Sequence, residues 1–209
     1  MYTPAAFRED DPDTLRQIMR EARLSTLVTA TAEGLVATPL PLFLKEAEGE
    51  HGVLYGHVAK ANPQWKLKPT AEALVIFSGP DAYITPSWYV SKREHGKVVP
   101  TWNYSAVHAY GPVEFFEDEA RLHQIVTHLT TMYEAPRAEP WSVTDAPVAF
   151  IKAQLRGIVG VRLPVTRIEG KRKMSQNRPE ADRAGVAAGL GQSERESDRQ
   201  VSSMIPIAP

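Results

Sequence analysis

The sequence predicts an antiparallel β-barrel with peripheral helices. Its apolar, strand-like segments are short and numerous, and most are separated by turns rather than by helices. A doubly wound parallel sheet would need a helix between successive strands. The chain has 209 residues, enough for one domain or one domain with an appendage.

The elements follow in order. Asp11 is a good N-cap and Pro12 suits the first helical position, so a helix starts there, with Leu15, Ile18, Met19 and Ala22 facing a core. Residues 24–30 and 35–44 read as a strand pair joined by a turn at 32–34, and 53–58 as a further strand. A short strand at 74–77 is closed by Ser78, Gly79, Pro80 and Asp81, and 82–89 and 106–116 read as extended. Residues 117–134 form the clearest helix: Leu122, Ile125, Val126, Leu129, Met132 and Tyr133 repeat at three and four, and Glu117, Asp118 and Glu119 sit where the helix dipole favours anions. Asp145 caps a short helix ending near Gly157. Residues 158–168 return to strand, interrupted at Pro164. The expected division is a barrel domain over 1–170 and a helical arm or tail over 171–209.

Composition excludes several classes. Lys plus Arg is 24 and Asp plus Glu is 25, a net charge of −1, so the chain is not built mainly to coat nucleic acid, although a local basic patch is allowed. With no cysteine, disulfides, thiolate metal sites, Cys nucleophiles and iron–sulfur clusters are impossible. The longest apolar stretch, 34–44, contains two prolines and is far short of the roughly 20 residues a membrane helix needs. The acidic N-terminus (Glu9, Asp10, Asp11, Asp13) is unlike a signal peptide. A cytoplasmic protein with no membrane partner is expected. Nucleophile-elbow, zincin, P-loop and dinucleotide motifs are absent, and His123 and His128, five residues apart, would diverge by roughly 140° on a helix.

Four segments could carry chemistry. In the first, His57 and Lys60 precede Asn62 and Pro63, which read as the N-cap and first residue of a short helix stopped by Pro69; this is a phosphate cradle or a plain capped turn. In the second, Thr38, Pro39, Leu40 and Pro41, two prolines two apart delete two N–H donors from one strand edge and leave the carbonyls. Such an edge suits the uracil-like end of a flavin, or is simply protected against aggregation. The third is an aromatic cluster (Tyr83, Trp88, Tyr89, Trp102, Tyr104, Tyr110) around a polar loop at 91–97, which suits a ring-binding pocket, a subunit interface or a core. In the fourth, six basic residues and one acid lie between Arg162 and Arg178, a phosphate or DNA contact or a solvated face.

At these segments the chain resembles the PaiB family, described as FMN-binding negative transcriptional regulators. The matching stretches are His57, Lys60, Asn62, Pro63, Gln64 and Trp65; Gly79, Pro80, Ala82, Tyr83, Ile84, Pro86, Ser87, Trp88 and Tyr89; the run from Glu94 to Tyr104, continuing to Val107, His108 and Gly111; and Lys173, Ser175, Gln176, Asn177, Arg178, Pro179, Glu180, Ala181, Asp182 and Arg183. The resemblance spans about residues 1–190. It implies a split-barrel homodimer, related to pyridoxamine phosphate oxidases and flavin reductases, with FMN at the subunit interface. It implies that His57, Lys60 and Asn62 lie near the phosphate and that Thr38, Pro39, Leu40 and Pro41 line the isoalloxazine. Trp102, Asn103 and Tyr104 would approach the cofactor, and Lys173, Ser175 and Gln176 would close the site. The alternative function is an FMN-dependent oxidoreductase acting on a small molecule, with His95 and His108 as acid–base candidates. DNA contact would fall to the 162–178 segment. A helix-turn-helix over 179–204 is disfavoured, because its second helix carries Glu194, Glu196 and Asp198 against Arg195 and Arg199.

Overall fold

The computed structural model describes residues 1–207. In chain order the elements are β1 (Arg8–Glu9), α1 (Pro12–Glu21), β2 (Ser25–Thr31), β3 (Gly34–Leu40), β4 (Leu42–Lys45), β5 (Val53–Ala59), β6 (Ala73–Ile84) and α2 (Val90–Glu94). Then come β7 (Thr101–Gly111), β8 (Glu114–Phe116), α3 (Glu119–Glu134), α4 (Val148–Leu155), β9 (Ile158–Pro164), β10 (Arg167–Lys173), α5 (Glu180–Gly191) and α6 (Glu196–Met204). The strands form a six-stranded sheet, β1-β10-β7-β6-β2-β3, and a four-stranded sheet, β4-β5-β9-β8. The mainly β, antiparallel character is as expected. The sheets have free edges, however, and the described residues form no single closed sheet.

Two compact units make up the chain. One comprises residues 22–77 and 108–168, the other residues 1–21, 78–107 and the chain from Glu169 onward.

In the first of these, the expected long strand 35–44 divides at Pro41: β3 pairs with β2 from Thr31↔Gly34 to Ser25↔Leu40, and β4 pairs with β5 from Leu42↔Gly56 to Lys45↔Val53. Pro41 has no N–H to continue a ladder, and the chain leaves one sheet for the other there. Gly56 accommodates the crossing, since a Cβ would lie 2.6 Å from the Pro41 carbonyl oxygen. Residue alternation along β5 and β9 then makes two faces. The pairs Leu54↔Leu163, Gly56↔Val161 and Val58↔Val159 bury one face, each Leu or Val side chain contributing about 1.5–3 kcal/mol. Tyr55↔Arg162 and His57↔Gly160 lie on the other. Helix α3 packs on this second face, with His128 4.1 Å from Phe43 and the Arg121 guanidinium 3.6 Å over Phe116, ring centroids being the reference points. Asp118 caps α3 by accepting from Arg121 N at 2.8 Å. The capping expected of Asp145 is shared: Ser142 is the N-cap of a 3-10 turn at Val143–Asp145, Asp145 bonds back to Ser142, and α4 starts only after Pro147.

In the second unit, Asp11 caps α1 through Thr14, as expected. The turn expected at residues 78–81 is absent: β6 runs unbroken through Gly79 and Pro80. Its pairing with β2 ends at Ser25↔Phe77, so Pro80 removes no bond from that ladder. The polar loop at 91–97 begins as α2. Buried Asp182 accepts from Ser91 N at 3.0 Å and from Ser91 Oγ at 2.8 Å, fixing the start of that helix. Within the expected helical segment 171–209, α5 and α6 bury Val186, Leu190, Val201 and Ile205 against Ala82, Ile84, Tyr89 and Met174. Gly185 and Gly189, one turn apart on α5, make room for Trp88, because a Cβ at Gly185 would overlap the Trp88 carbonyl oxygen and one at Gly189 its indole.

Gly185→Ala should therefore destabilise the protein by about 1–3 kcal/mol in urea unfolding despite the better helix propensity of alanine. Gly191→Ala, whose Cβ would lie 3.4 Å from Ser202 Oγ, should shift the midpoint much less.

Candidate functional site

The residues singled out by the sequence fall into two groups, one in each unit.

The first group is built on β3, β5 and the turn after β5. Strand β3 is the terminal strand of its sheet, so its outer edge is unpaired, as the prolines require. Pro39 is exposed, Thr38 and Pro41 are half-buried, and Leu40 is buried in the core. Only the backbone of Leu40 is thus available at the edge. At position 39 the strand keeps a carbonyl acceptor and lacks an N–H, whereas Pro41 lies past the end of β3 with its carbonyl oxygen close against Gly56.

Asn62 caps the 3-10 helix Pro63–Lys66 by accepting from Gln64 N at 2.9 Å. Its amide nitrogen donates to Thr38 Oγ1 at 2.9 Å. The structure therefore joins two candidates, Asn62 and Thr38, and both ends of the Asn62 amide are engaged. Lys60 forms an ion pair with Glu117, and its backbone carbonyl accepts from the Trp65 indole at 3.0 Å. His57 lies on the α3-facing side of β5, and its Nδ1 is buried without a hydrogen-bond partner. Burial pushes its pKa down, favouring the neutral imidazole.

Gln64, two residues after the N-cap Asn62, is tightly constrained. It is fully buried, and its side-chain nitrogen donates to Thr29 Oγ1 (3.0 Å), the Val36 carbonyl (3.2 Å) and the Leu27 carbonyl (3.4 Å). Nothing local in the sequence signals this, because the bonds span 28 to 37 residues.

The second group surrounds the turn after β10. Ser175 has φ 61°, the only non-glycine positive φ among the described residues. Backbone strain of this kind persists where surrounding contacts impose it. Here Asn103 Nδ2 donates to Ser175 Oγ at 2.9 Å, both residues being buried, and Arg178 N donates to the Ser175 carbonyl at 2.9 Å. Gln176 folds back on the same turn, accepting from Met174 N at 2.6 Å and donating to the Arg172 carbonyl. Lys173 Nζ donates to Thr101 Oγ1 at 2.6 Å and to the Trp102 carbonyl. Burial, and then the positive charges of Lys171 and Arg178, push the Lys173 pKa down. Arg178 lies 4.7 Å from the Tyr89 ring.

The aromatic cluster divides. Tyr89 is core, whereas Tyr83 and Trp102 are half-exposed and meet edge-on at 5.7 Å. Tyr104 stands 5.1 Å from the Lys171 ammonium, and Tyr110 lies under Arg167. The 162–178 segment occupies β9, β10 and the following turn, where Arg162 reaches Tyr55 and Glu114, Arg172 pairs with Glu9, and Lys171 is buried. It presents no helix. No cluster of metal-ligating side chains occurs among the described residues, and none of their helices is long and apolar enough to cross a membrane.

Three comparisons bear on the site. Residues 1–167 match the family model described as "Putative FMN-binding domain". The chain is 34% identical over 206 residues to the protease synthase and sporulation protein PAI 2 of Bacillus subtilis, covering 98% of this chain and 96% of that one. Among solved structures, the flavocytochrome Anf3 of Azotobacter vinelandii superimposes with a TM-score of 0.55 at 15% identity, over 79% of this chain and 68% of that one. A FAD- and heme-binding protein of Mycobacterium smegmatis gives 0.54 at 11% identity, over 79% and 73%. At these identities the structural likeness is one of fold.

Two outcomes follow from the geometry. Gln64→Leu should cost about 1–3 kcal/mol in urea unfolding, because it strands a cluster of buried acceptors. His57 is neutral in both folded and unfolded chains above its unfolded pKa of about 6.5. Below that pH the unfolded chain takes up a proton that the folded site resists, so stability falls as pH drops. The urea midpoint should decline from pH 7 to pH 5, and His57→Gln should flatten the decline.

Proposed function

Since the chain belongs to the PaiB family of FMN-binding domains, we propose that it is a split-barrel flavoprotein that works as a homodimer and acts as a negative transcriptional regulator of the PaiB type. The observation that carries the flavin reading is the unpaired outer edge of β3, interrupted by Pro39 and bonded through Thr38 to the Asn62 turn, within a chain whose family model spans residues 1–167.

The residues present fit the group. The carbonyl at Pro39 can accept from the ring N–H of an isoalloxazine, and no N–H at that position opposes its carbonyls. Thr38 spends its oxygen lone pair on Asn62 and keeps its hydroxyl proton to donate. Asn62 is bonded to that edge through Thr38, and His57, on β5, keeps a neutral imidazole able to accept or donate. Trp102, Asn103, Tyr104, Lys173, Ser175 and Gln176 are proposed as further flavin contacts. FMN, when bound, supplies the redox chemistry. The half-exposed Tyr83 and Trp102 pair is proposed to be covered in the dimer, as aromatic side chains are at interfaces.

Regulation is proposed without a recognition helix. The basic segment lies on strands with much of its charge paired, and α5 and α6 bury their apolar faces in their own unit. Any DNA contact would therefore come from surface cations and be strongly salt-dependent.

Titration of the purified chain with FMN, followed by flavin fluorescence, should show saturable binding of one FMN per chain at micromolar concentration. Flat fluorescence would refute the flavin reading. The FMN-loaded protein should oxidise NAD(P)H no faster than free FMN; a large acceleration would instead favour the oxidoreductase.

A further inference from the structure

Between α3 and the sheet it covers lies a cavity of about 290 Å3 that the flavin reading leaves unused. We propose that it is a binding site for a small aromatic monocarboxylate, its ring held by Phe43, Tyr55 and Phe116 and its carboxylate by Arg121. The proposal does not rest on the flavin reading. The cavity belongs to the four-stranded sheet, whereas β3 is the edge of the six-stranded one.

The walls follow from two periodicities. Phe43 on β4 and Tyr55 on β5 are cross-strand partners, and their rings stack with centroids 5.7 Å apart. Phe116 on β8 pairs with Gly160, where any Cβ would overlap its ring. On α3, Arg121, Ile125 and His128 recur at four and three, so a single stripe of the helix lines the cavity. Phe43, Tyr55 and Phe116 all remain half-buried, so the fold by itself does not cover these rings. The volume lies just below the roughly 300–1,000 Å3 of pockets for drug-sized ligands, which suits a molecule of one or two rings.

The polar rim selects the charge of the ligand. Lys45 pairs with Glu48, which also accepts from the Tyr55 hydroxyl at 2.6 Å. Arg162 Nε donates to that hydroxyl at 3.3 Å. Glu114 then accepts from both Arg162, at 3.5 Å, and Arg121, at 2.9 Å. This continuous chain holds three cations (Lys45, Arg121, Arg162) and two carboxylates (Glu48, Glu114), an excess of one positive charge. The bonds from Lys45 and Tyr55 hold Glu48 below the usual carboxylate range, and the bond from Arg121 does the same for Glu114, so both acids stay ionised at neutral pH. The Arg121 guanidinium lies 3.6 Å over the Phe116 ring and shares its acid with a second arginine. Its remaining N–H groups point in its own plane, the direction from which a guanidinium binds a carboxylate. A monoanion balances the chain, a dianion reverses its sign, and a neutral ring leaves the excess unmatched.

The test is calorimetric titration of the full chain with 2-naphthoate, which should bind saturably, one per chain, in the submillimolar range. The neutral isostere 2-naphthamide should bind about tenfold more weakly, the size of one lost charge-assisted hydrogen bond. Cyclohexanecarboxylate, which keeps the charge but has no aromatic face, should also bind more weakly. Arg121→Gln, with its fold checked by circular dichroism, should weaken 2-naphthoate about tenfold. Lys152→Gln, at a cation of the neighbouring groove between α3 and α4, should change it by less than about twofold, as expected for an exposed pair. Because 2-naphthoate is flat, the titration is repeated with FMN in excess, and its affinity should be unchanged. Absence of saturable binding, equal affinity for acid and amide, an unchanged affinity in folded Arg121→Gln, or displacement by FMN would each overturn the proposal. The flavin reading stands or falls separately, on the FMN titration.

Discussion

One buried amide holds the first candidate group together. The side-chain nitrogen of Gln64 reaches the Leu27 and Val36 carbonyls and the Thr29 hydroxyl, while the Gln64 backbone N–H is taken by Asn62. Asn62 in turn donates to Thr38. The turn after β5 is therefore fastened to both β2 and β3. Interior bonds of this kind are stronger than their solvent-exposed equivalents and costly to leave unmade. They let a loop serve as a rigid part of a binding site.

That rigidity gives the prolines their meaning. Pro41 ends β3, so the chain passes to the other sheet there, and Pro39 removes one N–H from the strand. The same chemistry that prevents another strand from adding to β3 leaves acceptors available to a heterocycle. Ser175 is the counterpart in the second group. Its strained backbone is maintained by a buried hydrogen bond from Asn103. In both groups, fixed backbone and a few committed polar side chains define which remaining atoms are free to meet a ligand.

Features set by neighbours in the sequence were legible without a structure. Asp11 and Asp118 cap helices whose first turns they precede, and the hydrophobic repeat of α3 is local. Asn62 was legible as an N-cap for the same reason. Features set by distant contacts were not. Gly79 and Pro80 have the composition of a turn, yet they lie within β6 beyond the last residue paired to β2. Residues 91–97 look like loop because the carboxylate that fixes the start of α2 is Asp182, 91 residues away. The left-handed Ser175 is held by Asn103, 72 residues away, and no local preference of serine foretells it.

The most direct measurement is a crystal structure of the chain grown with saturating FMN. The account predicts flavin density with the uracil-like end of the ring against the β3 edge at Pro39. Density placing the ring away from that edge, or a fully occupied β3 edge with no flavin at all, would contradict it.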